Sequence, residues 1–282
     1  MRYKEEEKVD EYYIKTLRQM VPLACASTDF TYRHHSLEVK AFISIYTTLF
    51  LSIDDTVHRM PEEILPDLET LPRKLGMGVL QTEKYQHPNM ERFVKHFTLE
   101  SPKYFGPYGC AAIVKSTVDT LMGWIIEGKY PKGITALVSS ARFPRYLRIK
   151  TGNSEAYWAF LWPEYHFPEE THLKLLIPTA PDVVEVIDTV NDILSFYKES
   201  VVGSEENTYI MNCARMKGTT PVEEIRREYK RQLELINDIR KALTENEKAR
   251  AVWDTFIHGY LRWHLSMDRY RLDEIGLRPS RG

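Results

Sequence analysis

The sequence predicts an all-α fold, and three observations predict it. Apolar residues recur at helical spacing, strand-like alternation is sparse, and clusters of proline and glycine separate the periodic segments. At 282 residues the chain has room for one large domain or two ordinary ones. No linker, internal repeat or low-complexity tract divides it, so one domain over residues 1–282 is expected.

The elements follow in order. Leu37, Ala41, Ile45, Leu49 and Ile53 lie at i+4 steps, with Val39, Ile43, Tyr46 and Phe50 alongside. That spacing predicts a buried helix with Asp54 and Asp55 near its C-terminal end. Between residues 59 and 90, Pro61, Pro66, Pro72, Gly76, Gly78 and Pro88 predict short helices joined by turns. The turn FGPYG precedes a second core helix over 110–127. Residues 128–133 break the pattern, and residues 141–162 resume it up to Pro163. Pro178 and Pro181 announce another helix, with Thr179 and Asp182 as its cap. Residues 203–207 form an exposed loop. The charge-rich residues 221–250 read as a solvated amphipathic helix, and a last buried helix, rich in aromatics, covers 249–271.

Composition narrows the function classes. With 43% hydrophobic and 28% charged residues the chain is globular and not disordered. A formal net charge of −2 excludes a generic polyanion binder, so no nucleic-acid partner is expected. Cys25, Cys110 and Cys213 are widely spaced and odd in number, which suits reduced thiols in a cytoplasmic protein better than a disulfide or zinc framework. The opening MRYKEEEKVDEYY is too charged for a secretory signal. The most membrane-like stretch, 39–53, is interrupted by Lys40, Ser44, Thr47 and Thr48 and falls short of the ~20 apolar residues of a span.

Chemistry concentrates in two places. The segment TVNDILSFYKE carries Asn191, Ser195 and Glu199 at i, i+4 and i+8, a stripe that drifts ~40° per step on a helix. An amide, a hydroxyl and a carboxylate all present oxygen, the donor that magnesium takes. The surrounding Val183, Val184, Val186, Ile187, Val190, Ile193, Leu194, Phe196 and Tyr197 make this helix apolar around most of its circumference. A polar stripe on a buried helix must be paired or bind something. Asp54 and Asp55, in FLSIDDTVH, form the second place.

Magnesium sites are commonly completed by substrate phosphates. Arg148, Lys198, Arg269 and Tyr270 would supply donors to such an anion. Tyr46, Phe50, Trp124, Trp158, Phe160 and Trp263 could wall an apolar cavity, where a ring face near a cation contributes ~0.5–2 kcal/mol. Each feature alone has a plainer explanation. An Asp pair is usually a solvated helix end, an Asn-Ser-Glu stripe can be a structural ladder, and single aromatics are usually core. His34, His35, His58 and His264 form no metal spacing and receive no role.

The blocks FGPYGCAAIVKSTVDTLMGWIIE, FPRYLRIKTGNSEAYWAFLWPE, VNDILSFYKE and HGYLRWHLSMDRYRLDEI resemble trichodiene synthase and related fungal class I sesquiterpene cyclases over most of residues 35–275. The resemblance implies a class I terpenoid synthase helical bundle around a central apolar cavity. It also implies farnesyl diphosphate as substrate and three magnesium ions that trigger ionisation to an allylic cation. Asp54 matches the metal-bridging aspartate, and Asn191, Ser195 and Glu199 match the second metal site. Arg148, Lys198, Arg269 and Tyr270 match the diphosphate-binding positions. Asp55 matches the aspartate that pairs, in closed complexes of the family, with the arginine at position 269.

Three departures stand out. Val57 and His58 occupy positions where acids are common in the aspartate-rich motif. The chain begins nearer Asp54, and ends sooner after Arg269-Tyr270, than trichodiene synthase does. Thr120 and Leu121 stand where trichodiene synthase carries Phe, which argues against trichodiene as the product. A chain-elongating prenyltransferase and a non-catalytic terpenoid-binding protein are the alternatives, and a homodimer is left open.

Overall fold

Long apolar runs bounded by strong caps fix the helices that matter. The computed structural model describes residues 2–80 and 82–277, with side chains from residue 12 onward. Among the described residues there are twelve α-helices and no strand, so the all-α expectation holds. Six of the helices close a ring. α1 (Arg2–Thr31) packs on α2 (Leu37–Arg59), α2 on α5 (Pro107–Lys129), and α5 on α7 (Ser154–Ala159). α7 then meets α9 (Ala180–Phe196), α9 meets α12 (Glu247–Ser266), and α12 returns to α1. The remaining helices brace this ring from outside: α3 (Pro61–Gly76), α4 (Pro88–Lys95), α6 (Phe143–Gly152), α8 (Glu169–Leu176), α10 (Tyr209–Lys217) and α11 (Pro221–Ala242).

Local chemistry sets the helix starts. The Ser36 hydroxyl caps α2 by accepting from the Val39 amide, and Asn246 caps α12 by accepting from the Ala249 amide. Thr220 and Glu223 form a reciprocal capping box on α11. Each such cap contributes about 1 kcal/mol. The α5 start is held from a distance: the Glu169 carboxylate accepts from the amides of Tyr108 and Gly109 at 2.9 and 2.7 Å. Gly259 lets α12 meet α1 closely, since a Cβ there would collide with the Phe30 carbonyl.

Several expectations need correction. The stripe Leu37–Ala41–Ile45 begins on the surface, and only Leu49 and Ile53 reach the core. Four i+4 steps rotate by about 160°, so one stripe cannot stay on one face. α3 runs unbroken through Pro66 and Pro72, because its buried Ile64, Leu68 and Leu71 outweigh the proline penalty. Residues 141–162 do not form one helix. Asn153 turns into the left-handed region (φ 54°) and separates α6 from α7, a conformation asparagine tolerates better than most residues. Thr179 does not cap α9; its hydroxyl donates to the Leu176 carbonyl instead. α12 stops at Ser266, so Arg269 and Tyr270 lie in a following 3-10 turn and not at a helix end. On α11 one stripe of the expected solvated face, Glu224, Glu228 and Gln232, is buried. Among the described residues α5, rather than residues 39–53, is the helix long and apolar enough to cross a membrane, and half of its apolar window is buried in the fold.

Candidate active site

α2 and α9 deliver their polar groups to the same end of the ring. Asp54 sits on the last turns of α2, where its Oδ1 accepts from the Trp124 indole of α5 at 3.1 Å. One turn beyond Trp124 on α5 lies Glu127. Donor atoms of Asp54, His58 and Glu127 lie within 4.8 Å of one another. Burial and then the Asp54 charge push the Glu127 carboxyl up to about 8; Arg148 opposes this, while Glu205 and Glu199 add to it. Glu127 therefore lies within electrostatic reach of both Asp54 and the far end of the α9 stripe. The two acidic constellations converge.

The α9 stripe is not a plain α-helical ladder. After Phe196 the backbone widens into a π-helical turn, Tyr197–Val202, and Glu199 lies in it. Such insertions often occur at functional sites. Ser195 Oγ still donates to Glu199 Oε2 at 2.9 Å, and Lys198 Nζ lies 3.0 Å from Glu199 Oε1. Asn191 stands one turn earlier. Its amide nitrogen is 3.2 Å from His264 Nε2, and its Oδ1 receives only a long 3.4 Å contact from Arg148.

Arg148, on α6, is anchored more firmly than a free rim donor would be. Its Nε donates to both oxygens of Asp192 at 2.7 and 2.9 Å, and its Nη2 donates to the Asp188 carbonyl at 3.1 Å. Asp188 is fully buried, taking Arg145 at 3.2 Å and the Ser154 hydroxyl. Gly152 makes room for this cluster; a Cβ there would strike the Asp188 carboxylate and the Arg148 guanidinium. Burial raises the Asp192 carboxyl to about 7, against the pull of Arg148.

The C-terminal residues behave differently from one another. Tyr270 is buried against Trp263 and His264, with ring centroids 5.5 and 4.5 Å away. Arg269 is exposed. Asp55 pairs with Arg59 at 3.0 Å and accepts from Tyr12 at 3.2 Å, so in this structure its partners come from α2 and α1 and not from Arg269.

The aromatic wall is also redistributed. Phe50 and Trp124 lie beneath Asp54 with centroids 5.3 Å apart, and Tyr46 is fully buried with its hydroxyl 2.6 Å from Thr117. Trp158 lies elsewhere: its indole reaches Thr179 at 3.4 Å and its ring meets Tyr108, sixteen residues before Trp124 on α5. Sixteen residues of helix span about 24 Å. Trp263 packs with Tyr270 and Leu272 and donates to the Leu23 carbonyl at 3.2 Å, bracing the C-terminal segment against α1. Tyr157 and Tyr260 are half-buried, and desolvation pushes both phenols up, Tyr157 to about 12. A groove of about 480 Å³ on the outer side of α5, near Leu75, Pro102 and Val118, is lined by none of Asp54, Glu127 or Glu199.

Sequence reasoning missed Glu127, Asp188, Asp192, Tyr157 and Tyr260. Two signals were present. Glu127 is an isolated acid closing the apolar run LMGWII, and Arg145 and Arg148 at i, i+3 match Asp188 and Asp192 at i, i+4. The donor set is oxygen-rich and crowded with carboxylates, which fits a hard divalent cation. The repulsion that raises Glu127 is what such a cation would relieve.

Comparison with known proteins bears on the family and the fold. The family described as trichodiene synthase (TRI5) matches residues 8–280. An (E)-beta farnesene synthase of Metarhizium brunneum is 34% identical over 269 residues, covering 93% of this chain and 77% of its own length. Monoterpene synthase 25 of Postia placenta is 30% identical over 264 residues, covering 92% of this chain and 74% of its own. The linalool/nerolidol synthase structure from Streptomyces clavuligerus shares the fold, with a TM-score of 0.67 at 15% identity over 92% of this chain and 95% of that one.

Proposed function

Because the chain belongs to the trichodiene synthase family and is a class I terpene synthase, we propose that it is a magnesium-dependent cyclase of farnesyl diphosphate. The observation that carries this proposal is the approach of Asp54, Glu127 and Glu199 at the mouth of a helical ring floored by aromatic side chains. Asp54, Asn191, Ser195 and Glu199 would hold the metal, three ions by the family's pattern, with Glu127 beside them. Magnesium, when bound, supplies Lewis-acid stabilisation of the charge that develops on the leaving diphosphate.

The chain's own residues do the rest. Lys198 and Arg148 stand at the mouth with their charges held by Glu199, Asp192 and Asp188. An incoming diphosphate would compete with those carboxylates for the same donors, so substrate binding and rearrangement of the mouth are one event. Arg269 is exposed and free of the core packing that holds Tyr270, which leaves it able to reach an anion at the rim. Phe50, Trp124, Tyr157 and Tyr260 present ring faces and exclude water from the allylic cation that ionisation leaves behind.

The test is incubation of the purified protein with geranyl, farnesyl and geranylgeranyl diphosphates, with and without magnesium, followed by mass spectrometry and measurement of released diphosphate. Fifteen-carbon products from the farnesyl substrate, formed only with magnesium, are expected. Products from the ten-carbon substrate alone would replace farnesyl with geranyl diphosphate, the class suggested by the Postia relative's name. Lengthened prenyl chains would make the protein an elongating prenyltransferase, and no diphosphate release would make it a binding protein.

A further inference from the structure

His264 was assigned no role by its sequence context, yet it lies fully buried against Asn191. Its Nδ1 is 2.8 Å from the Tyr260 carbonyl, one turn earlier on α12. A carbonyl can only accept, so Nδ1 carries the hydrogen. The Nε2 of the neutral ring is then an acceptor, and the Asn191 atom facing it at 3.2 Å must be the amide nitrogen. Rings of Tyr260, Trp263 and Tyr270, with centroids 4.4, 4.8 and 4.5 Å away, stop the imidazole from turning.

We propose that His264 is a positioning residue that fixes which edge of the Asn191 amide faces the acid-lined mouth. With the nitrogen held by His264, Oδ1 points to the mouth, where only the long Arg148 contact touches it. The reversed amide would aim its oxygen at the Nε2 lone pair and its N–H groups at the metal position. An amide ligates a cation through oxygen alone, so the reversed edge repels what the native edge binds. This inference rests on the magnesium reading above, and its test is chosen so that the two fail differently.

The test is titration of Mn²⁺ into the protein with inorganic diphosphate present, read by electron paramagnetic resonance. Removing an outer hydrogen-bond partner of a metal ligand weakens binding by roughly 10- to 100-fold, and His264→Leu is expected to fall in that range. His264→Gln keeps an acceptor toward Asn191 and should stay within a few-fold of wild type. His264→Phe, which retains a ring, replaces the leucine variant if that one does not fold. The decisive arm is the Asn191→Asp background. A carboxylate offers oxygen on both edges, so adding His264→Leu there should cost no further affinity. Equal Mn²⁺ affinity in wild type and His264→Leu would overturn the proposal, as would an undiminished loss in the Asn191→Asp background, which would mark a packing defect. A wild-type protein that binds no Mn²⁺ with diphosphate would instead overturn the magnesium reading itself.

Discussion

Two helices of this protein carry polar residues at i, i+4 and i+8, partly buried on one and buried on the other, and the two stripes differ in how their charge is settled. Asn191, Ser195 and Glu199 occupy α9 and its π-helical extension; Glu224, Glu228 and Gln232 occupy α11. The acids of the α11 stripe have basic side chains close by. Lys217 donates to Glu224 at 2.9 Å, and Arg227 pairs with Glu224 and lies 3.4 Å from Glu228. The α9 end has a surplus of acids instead. Lys198 serves Glu199, and Arg148 serves Asp192 and Asp188, which leaves Asp54 and Glu127 facing each other beside His58. Buried acids at helical spacing do not by themselves mark a metal site. The proposed metal site rests instead on the deficit of protein cations around the α9 end, because an uncompensated buried charge is costly to keep.

The largest effect should come from exchanging roles between the stripes. Asn191→Leu or Glu199→Ala is expected to reduce diphosphate release roughly a thousand-fold, equivalent to the several kcal/mol a Lewis-acid site supplies. Circular dichroism should show the helices intact. Glu224→Gln should leave turnover unchanged and act on stability alone. If Glu224→Gln lowers turnover as steeply as Glu199→Ala, the comparison breaks.

An intermediate effect is expected at Glu127. Its carboxyl is raised to about 8 by burial and by Asp54, so at neutral pH it is largely protonated, and glutamine copies that form in shape and charge. Glu127→Gln should therefore melt at the wild-type temperature without metal. With diphosphate present it should need roughly 10- to 100-fold more magnesium for half-maximal turnover, the range for losing an outer partner of a metal ligand. A large change in metal-free melting temperature would show that Glu127 serves the fold rather than the mouth.

The same contrast explains what the sequence could reveal. α2, α5, α9 and α12 were legible because each needs a long apolar run to close the ring, and apolar runs carry helical periodicity in plain view. Asp54, Asn191, Ser195 and Glu199 stand out in the sequence because polar oxygens interrupt such runs, and their metal-holding role is the proposal made above. Glu127 does not, since one acid at the end of an apolar helix looks like an ordinary terminus until Trp124 is seen donating to Asp54 one turn away. Trp158 and Tyr157 are adjacent, and the choice between them turns on which face of a six-residue helix is buried. The break at Asn153 decides that face. A left-handed residue between α6 and α7 resets the rotation that a continuous helix would have carried forward. On α11 the charges concealed burial, because an acid stripe sealed by Lys217 and Arg227 has the same composition as a solvated one.

The smallest effect sharpens the comparison from the α11 side. Burial, followed by the hydrogen bond and charge of Glu224, pushes the Glu228 carboxyl from 4.5 up to about 7. Between those values the folded protein holds a proton that the unfolded chain releases, so stability declines as pH rises through the window. Glu228→Gln removes that slope, because its amide donates to Glu224 at every pH as the protonated carboxyl does only at low pH. Melting curves from pH 5 to 7.5 should therefore converge at the acidic end and separate by about 2–4 °C at the other, with the variant higher, a shift equivalent to ~1 kcal/mol. Added magnesium should leave that difference unchanged, because the α11 stripe already has its cations. A difference that vanishes with magnesium would link the two stripes and undo the distinction between them.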